Sequence, residues 1–244
     1  MEIVKEIIES YLDERKQYIY GFSNLRGLVN GKYADLPYGI VIGRRLDNGV
    51  IDTIVDGPTG AYYAYFKEIN RLLEEISTGI TDTLNEEGLP AVSILPTILE
   101  NQISDDYLKT LSVDISHKML ATRAGLGWIG KSALFISKKF GPRVRLVSIL
   151  TSVPLSPLGK PVNSSHCGQC ELCVEKCPAQ AMTNRNWQAG LAREELFDAF
   201  KCRETCARLA RERLNIDARV CGVCVAACPI GQPKRKYRTT VHES

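Results

Sequence analysis

The sequence predicts an α/β (α+β) layer domain over residues 1–157, a small cysteine-dense module over residues 158–233 and a basic tail over residues 234–244. Three observations carry that division. Apolar runs of strand length alternate with amphipathic helical stretches to about residue 155. The proline-rich stretch "VPLSPLGKPVN" then breaks any periodic pattern, as a linker does. All nine cysteines of the 244-residue chain fall after residue 166.

At the start, Ile3, Ile7, Ile8, Tyr11 and Leu12 recur at helical spacing, so "MEIVKEIIESYLDERKQ" reads as an amphipathic helix rather than a cleaved leader. The apolar run "YGIVIGRRL" is bounded by glycines and reads as a buried strand. After the turn residues Asp56, Gly57 and Pro58, apolar positions at Tyr62, Tyr65, Phe66, Ile69, Leu72, Leu73 and Ile76 predict a long helix closed near Gly88. Its tyrosines read as helix-core packing. "PAVSILP" gives a strand, and "SVDISHKMLATRA" a helix that leads into the loop "GLGWIGK". Two further strands, "SALFIS" and "VRLVSILTSV", are separated by the turn "KKFGP".

Hydrophobic residues make up 44% of the chain, enough for one sizeable core. No apolar run approaches the roughly 20 residues needed to cross a bilayer, and a cytoplasmic location without membrane contact is the expectation. The tail cations Lys234, Arg235, Lys236 and Arg238 read as a solvated segment, with RNA or an acidic partner as the alternative.

Clustered cysteines in a reducing compartment point to metal rather than disulfides. "CGQCELCVEKCP" sets Cys167, Cys170, Cys173 and Cys177 at the full bacterial ferredoxin spacing C-x2-C-x2-C-x3-C-P. Its short steps let three successive sulfurs wrap three corners of one 4Fe–4S cubane, while the fourth cysteine reaches the neighbouring cluster. A zinc site would need only paired C-x2-C steps and has no use for the trailing Cys-Pro. Farther on, "DARVCGVCVAACPIG" supplies Cys221, Cys224 and Cys228 in the last three positions of the same motif, with Ala218 where the first belongs.

Two cubanes need eight thiolates and the two motifs hold seven, so Cys202 or Cys206 must supply the other. The exchange rule groups Cys167, Cys170 and Cys173 with Cys228 in one cluster. Cys177, Cys221 and Cys224 then join one of the pair in the second. The ninth cysteine reads as a buried small hydrophobe. Two clusters of about −2 each bring the formal +3 to about −1, which argues against a general nucleic-acid coat. A bacterial-type two-cluster ferredoxin module is a short electron wire, and the preceding domain is the natural place for its terminus.

At "RAGLGWIGKSALFISKKFGPRVRLVSILTSVPL" followed by "CGQCELCVEKCP", the chain resembles the catalytic core of the epoxyqueuosine reductases. These are cobalamin-dependent enzymes with two 4Fe–4S clusters, distantly related to reductive dehalogenases. The likeness covers roughly residues 113–231 in the same order: loop, strand pair, full cluster motif, lone cysteine, then C-x2-C-x3-C-P. It implies a nitroreductase-like fold holding a base-off corrinoid, with the ferredoxin-like module beside it, in a short form lacking the family's C-terminal helical-repeat region. The family's lone cysteine falls on Cys202. Gly125, Leu126, Gly127, Trp128, Gly130 and Lys131 would border the corrinoid, the glycines admitting backbone close to a flat ligand and Lys131 answering a phosphate or carboxamide. Without the resemblance, this loop reads as a tight helix-to-strand turn with Trp128 in the core.

Counting back from Gly125 by the separation of the family's proton-donating aspartate reaches Leu111, so Asp114 needs an alignment gap to take that role and lacks the family's nearby proline. His117 is the other catalytic candidate, as a proton donor or cobalt neighbour. His166, beside Cys167, could tune a cluster by hydrogen bonding. The expected activity is an iron–sulfur oxidoreductase that passes electrons from a low-potential ferredoxin or flavodoxin, through both cubanes, to the corrinoid. That cofactor would reduce an unidentified small or nucleoside-like substrate, with tRNA binding left open. The alternatives are a non-catalytic electron-transfer or corrinoid-activating dicluster protein, and a dicluster protein that binds no corrinoid.

Anaerobic reconstitution should bring about eight iron and eight sulfide per chain, and a value near four would overturn the two-cluster reading. Serine at Cys202 should cost one cluster, whereas serine at Cys206 should cost none.

Overall fold

Side chains alternate across a strand, and in "YGIVIGRRL" both alternating sets are apolar, which requires cover on both faces of the sheet. The computed structural model describes residues 2–98 and 103–232 and provides that cover. The chain runs α1 (Glu2–Ser10), β1 (Tyr18–Asn24), β2 (Tyr38–Arg45), α2 (Asn48–Ile51), α3 (Gly60–Glu86) and β3 (Ala91–Ile94). It continues through α4 (Asp105–Thr110), α5 (His117–Arg123), β4 (Gly127–Ile129), β5 (Phe135–Ser137) and β6 (Val144–Thr151). Three short or medium helices complete the cysteine region: α6 (Leu172–Glu175), α7 (Ala199–Leu214) and α8 (Val223–Ala227).

The main sheet is antiparallel throughout, in the order β1-β2-β6-β3. On one face, Ile40, Ile42, Val147 and Ile149 pack against Ile69, Leu73, Ile76 and Ile80 of α3, with Ile7 and Ile8 of α1 extending that core. On the other, Val41, Leu146 and Leu150 meet Leu120 and Ala121 of α5. The long helix begins where the sequence places it: the Thr59 hydroxyl caps it, accepting from the Tyr62 amide at 3.2 Å. β3 pairs with Ser148–Thr151, and among the described residues Val144–Val147 of β6 have no partner strand on that side.

Three local expectations change. The segment "YIYGFSN" is β1, an edge strand whose full register with β2 substitutes backbone pairing for a clear apolar alternation. The helix expected over "SVDISHKMLATRA" begins only after Ser116, because Leu111 adopts a left-handed conformation (φ 50°) that ends α4 and leaves residues 111–116 irregular. The loop "GLGWIGK" is in part a strand, β4, paired with β5. Gly127 is obligatory there, since a Cβ would meet the Ile136 carbonyl oxygen at 2.0 Å.

The cysteine module is seated in the same body as the sheet. Val225 and Ala226 of α8 lie in the α3-side core, and Leu196 packs with Ile129 and Ala133 beyond β4. Backbone meets backbone where the turn between β5 and β6 touches the end of "CPIG". A Cβ on Gly141 would sit 1.9 Å from the Ile230 carbonyl oxygen, at a φ of 60°. The basic tail lies outside the described residues. Among the described residues, no helix is long and apolar enough to cross a membrane.

Alanine at Gly141 combines a left-handed backbone with a backbone clash, so it should destabilise the protein by about 2–4 kcal/mol. A denaturant titration of Gly141→Ala checks this, with Gly31→Ala, where nothing stands within 4 Å of the added carbon, as the positive-φ control.

Candidate functional site

All nine cysteines are free thiols. Burial and the neighbouring thiols of Cys167, Cys228 and Cys170 push the Cys173 thiol up to about 11, which places those four side chains together. Cys228 is pushed up to about 11 by burial and by Cys167 and Cys170. The second grouping forms around Cys224, raised by burial and then by Cys221, Cys202, Cys173 and Cys177. Cys206 touches this second group: its thiol hydrogen-bonds with both Cys202 and Cys221. Among the described residues, no three His, Cys, Asp or Glu side chains close on a single metal ion. Thiols from both motifs and from α7 thus lie near one another, a donor set whose number and softness fit a pair of cubanes.

The loop after α5 forms the wall of the first grouping. A Cβ on Gly130 would come within 3.4 Å of the Cys167 sulfur. Trp128 is buried and stacks on His166, with ring centroids 4.8 Å apart, and its indole nitrogen is buried without a protein partner. An unpaired donor in that position suits an acceptor that the protein itself does not contain, such as a cluster sulfur. The Lys131 ammonium is buried and donates to Asn184 Oδ1 at 2.9 Å, and Asn184 in turn donates to Glu171 at 2.7 Å. Gly125 is a positive-φ residue backed by the Lys160 carbonyl, and Leu126 packs with the α5-side core.

Lys118 of α5 lines three cavities, and residues of the cysteine module line the first and second of them. The first, about 370 Å³, opens at the unpaired edge of β6 and reaches Tyr62, Arg145, Cys177, Cys202 and Cys224. The second, about 350 Å³, lies between α5 and the segment around Trp187–Arg193. The third, about 530 Å³, contains Asp114, Tyr33 and Ser93. Tyr62 and Tyr65, read from sequence as core, thus also face a cavity. Nothing in the helical spacing distinguishes a core wall from a cavity wall.

Asp114 is exposed and 3.9 Å from the Lys32 ammonium. His117 is enclosed, and both ring nitrogens are engaged: Nε2 lies 2.9 Å from the Leu95 carbonyl and Nδ1 2.8 Å from the Ser148 hydroxyl. A carbonyl only accepts, so Nε2 carries the proton and Nδ1 accepts from Ser148. Burial lowers the imidazole pKa to about 4, opposed by the Leu95 bond and helped by Arg145. His117 therefore ties the end of β3 to β6 as a neutral ring. Residues the sequence reading missed are Lys118 and Arg145, whose significance lies in what surrounds them and leaves no sequence signature.

Residues 166–231 match the family described as a 4Fe-4S double cluster binding domain. Over 157 residues, 64% of this chain and 40% of the relative, the sequence is 30% identical to an epoxyqueuosine reductase of Xanthomonas campestris pv. campestris. Over 68 residues, 28% of this chain and 23% of the relative, it is 44% identical to the one from Synechocystis. The chain thus spans well under half the length of these curated relatives. In fold it is similar to a catabolic reductive dehalogenase, with a TM-score of 0.68 at 16% identity over 95% of this chain and 32% of that one. It is also similar to epoxyqueuosine reductase from Bacillus subtilis, with a TM-score of 0.56 at 18% identity over 96% and 66%. The chain is an iron–sulfur protein with a double 4Fe–4S cluster domain joined to a mixed α/β layer. Over part of its length its sequence is similar to epoxyqueuosine reductases.

Because folding removes a proton from His117, stability is complete above the ordinary histidine value and is lost as pH falls from about 6.5 toward 4. Over that window the linked loss is about 3 kcal/mol. Denaturant midpoints at pH 7.5 and 5.5 should fall less for His117→Asn than for the parent.

Proposed function

We propose that the chain is an iron–sulfur reductase whose α/β layer, of the nitroreductase-like kind, holds a base-off corrinoid in the cavity beside the second thiol grouping. The observation that carries this reading is that Tyr62, Lys118 and Arg145 of the α/β layer face the same cavity as Cys177, Cys202 and Cys224, and Lys118 also lines the two other cavities. The first cavity offers the mixed apolar and polar walls that large cofactors use. When bound, the corrinoid supplies a low-potential nucleophilic metal that can reduce an otherwise inert bond.

In this reading residues 1–157 are the cofactor and substrate domain and residues 158–233 the electron relay. Cys167, Cys170, Cys173 and Cys228 hold one cluster, and Cys177, Cys202, Cys221 and Cys224 the other. Electrons from a ferredoxin or flavodoxin enter beside the exposed Cys170. The loop Gly125, Leu126, Gly127, Trp128, Gly130 and Lys131 separates the second cavity from the first cluster. His117 keeps the cavity wall in register as a neutral ring. Asp114, on the irregular segment at the largest cavity, carries a proton to the substrate.

A relative solved with an epoxyqueuosine-modified tRNA stem loop favours a nucleoside-like substrate for this chain too. Adding hydroxocobalamin anaerobically to the reconstituted protein tests the proposal. A one-to-one complex with a base-off absorption spectrum is expected. A protein with eight iron that leaves cobalamin in its free, base-on form would overturn it and favour electron transfer alone.

A further inference from the structure

A buried cation normally sits beside a carboxylate, because removing it from water costs several kcal/mol unless an opposite charge or good hydrogen bonds replace the solvent. Arg145 and Lys118 are half-buried cations that line a cavity and depart from that pattern. The Arg145 guanidinium is enclosed by protein, stacks on the Phe66 ring at 4.6 Å, and donates only to neutral oxygens: Asn70 Oδ1 at 2.7 Å and the Pro96 carbonyl at 3.0 Å. The Lys118 ammonium donates to the Ala133 carbonyl alone, at 2.9 Å. Burial lowers the pKa of each, and Arg193 adds to the effect at Lys118. Among the described residues, neither has a carboxylate within ion-pair distance. Both line the first cavity, whose described lining contains no Asp or Glu at all.

We infer that this cavity takes an oxyanion, a phosphate or carboxylate group, on Arg145 next to the second cysteine grouping, with Lys118 adding its positive charge from another part of the same wall. The inference rests on the proposed function only for the identity of the ligand's owner; the anion site stands on the two cations. Position supports it. Arg145 projects from the stretch of β6 that β3 leaves unpaired, so the cavity has direct access to a guanidinium face. Guanidinium and ammonium groups together bind such oxygens through charge-assisted hydrogen bonds, and Arg145 keeps donors unspent for them. Tyr62 sits between Arg145 and the cysteines, and burial raises its phenol to about 12, so it remains a neutral donor in the same wall. The competing role for the two cations is to offset the negative charge of the second cluster. Two sources could present the oxyanion: the substrate, or the phosphodiester in the nucleotide tail of a cobalamin.

The test uses the reconstituted chain and three probes: inorganic phosphate, cobalamin, and aquocobinamide, which lacks the phosphodiester. Calorimetry should show one phosphate bound per chain, weakened about tenfold to a hundredfold in Arg145→Gln and in Lys118→Gln, the loss expected for a charge-assisted hydrogen bond. Iron content and circular dichroism identify any variant that fails to fold or to hold both clusters. The milder Arg145→Lys, which keeps the charge, should then recover part of the affinity. If the parent prefers cobalamin to cobinamide and Arg145→Gln abolishes the preference, the anion belongs to the cofactor. If both corrinoids bind alike and phosphate still binds the loaded protein, it belongs to the substrate. Phosphate binding without corrinoid binding would sink the proposed cofactor and leave the anion site standing. Equal phosphate affinity in parent and charge-removing variants, with only the potential of one cluster displaced in a spectroscopic redox titration, would overturn the inference and assign both cations to the cluster.

Discussion

Two residues between cluster ligands hold the architecture together. Val225 and Ala226 stand between Cys224 and Cys228, and both are buried in the core that the sheet shares with α1 and α3. The last cysteine motif is therefore part of the sheet's own packing, not an appendage on a linker. Its position constrains the first motif if, as proposed, each cubane draws ligands from both motifs. The Gly141–Ile230 backbone contact and the Lys131–Asn184–Glu171 hydrogen bonds complete the same seat from the opposite side.

That seating explains the cavities. A flat closure between module and sheet would bury the edge of β6, but β3 stops after four residues and α5 starts late. The space left is walled by α3, α5 and the cysteines, and the charged groups facing it are cations. Arg145 and Lys118 are half-buried, and hydrogen bonds to neutral oxygens offset part of their desolvation. Negative charge in or beside the cavity would offset more of it.

The distribution of histidine and aspartate follows the same geometry. His117 is held neutral between two strands, so it contributes rigidity rather than proton transfer. Asp114 lies in water beside Lys32, on a segment free of regular structure. A group that must exchange protons with solvent belongs in such a place, and a group that must keep two strands aligned does not.

The cysteine spacings alone determined that two cubanes are bound and that a ligand from outside the second motif is needed, because short C-x2-C steps have few structural uses. Long-range apolar periodicity likewise determined α3 and the buried strands β2 and β6, since one stripe or two apolar faces can be counted along the chain. The tertiary structure decided what periodicity does not encode. β1 owes its strand form to pairing along β2, and Gly127–Ile129 became a strand because β5 lay close enough to pair with it. Tyr62 faces a cavity though its spacing marks it as core, and Cys206 lies against Cys202 and Cys221 though its sequence neighbours say nothing of Cys221. Above all, Arg145 reads as one basic residue in an apolar strand. Only folding shows that its hydrogen-bond partners among the described residues are neutral, because charge compensation is a property of three-dimensional neighbours and not of sequence order.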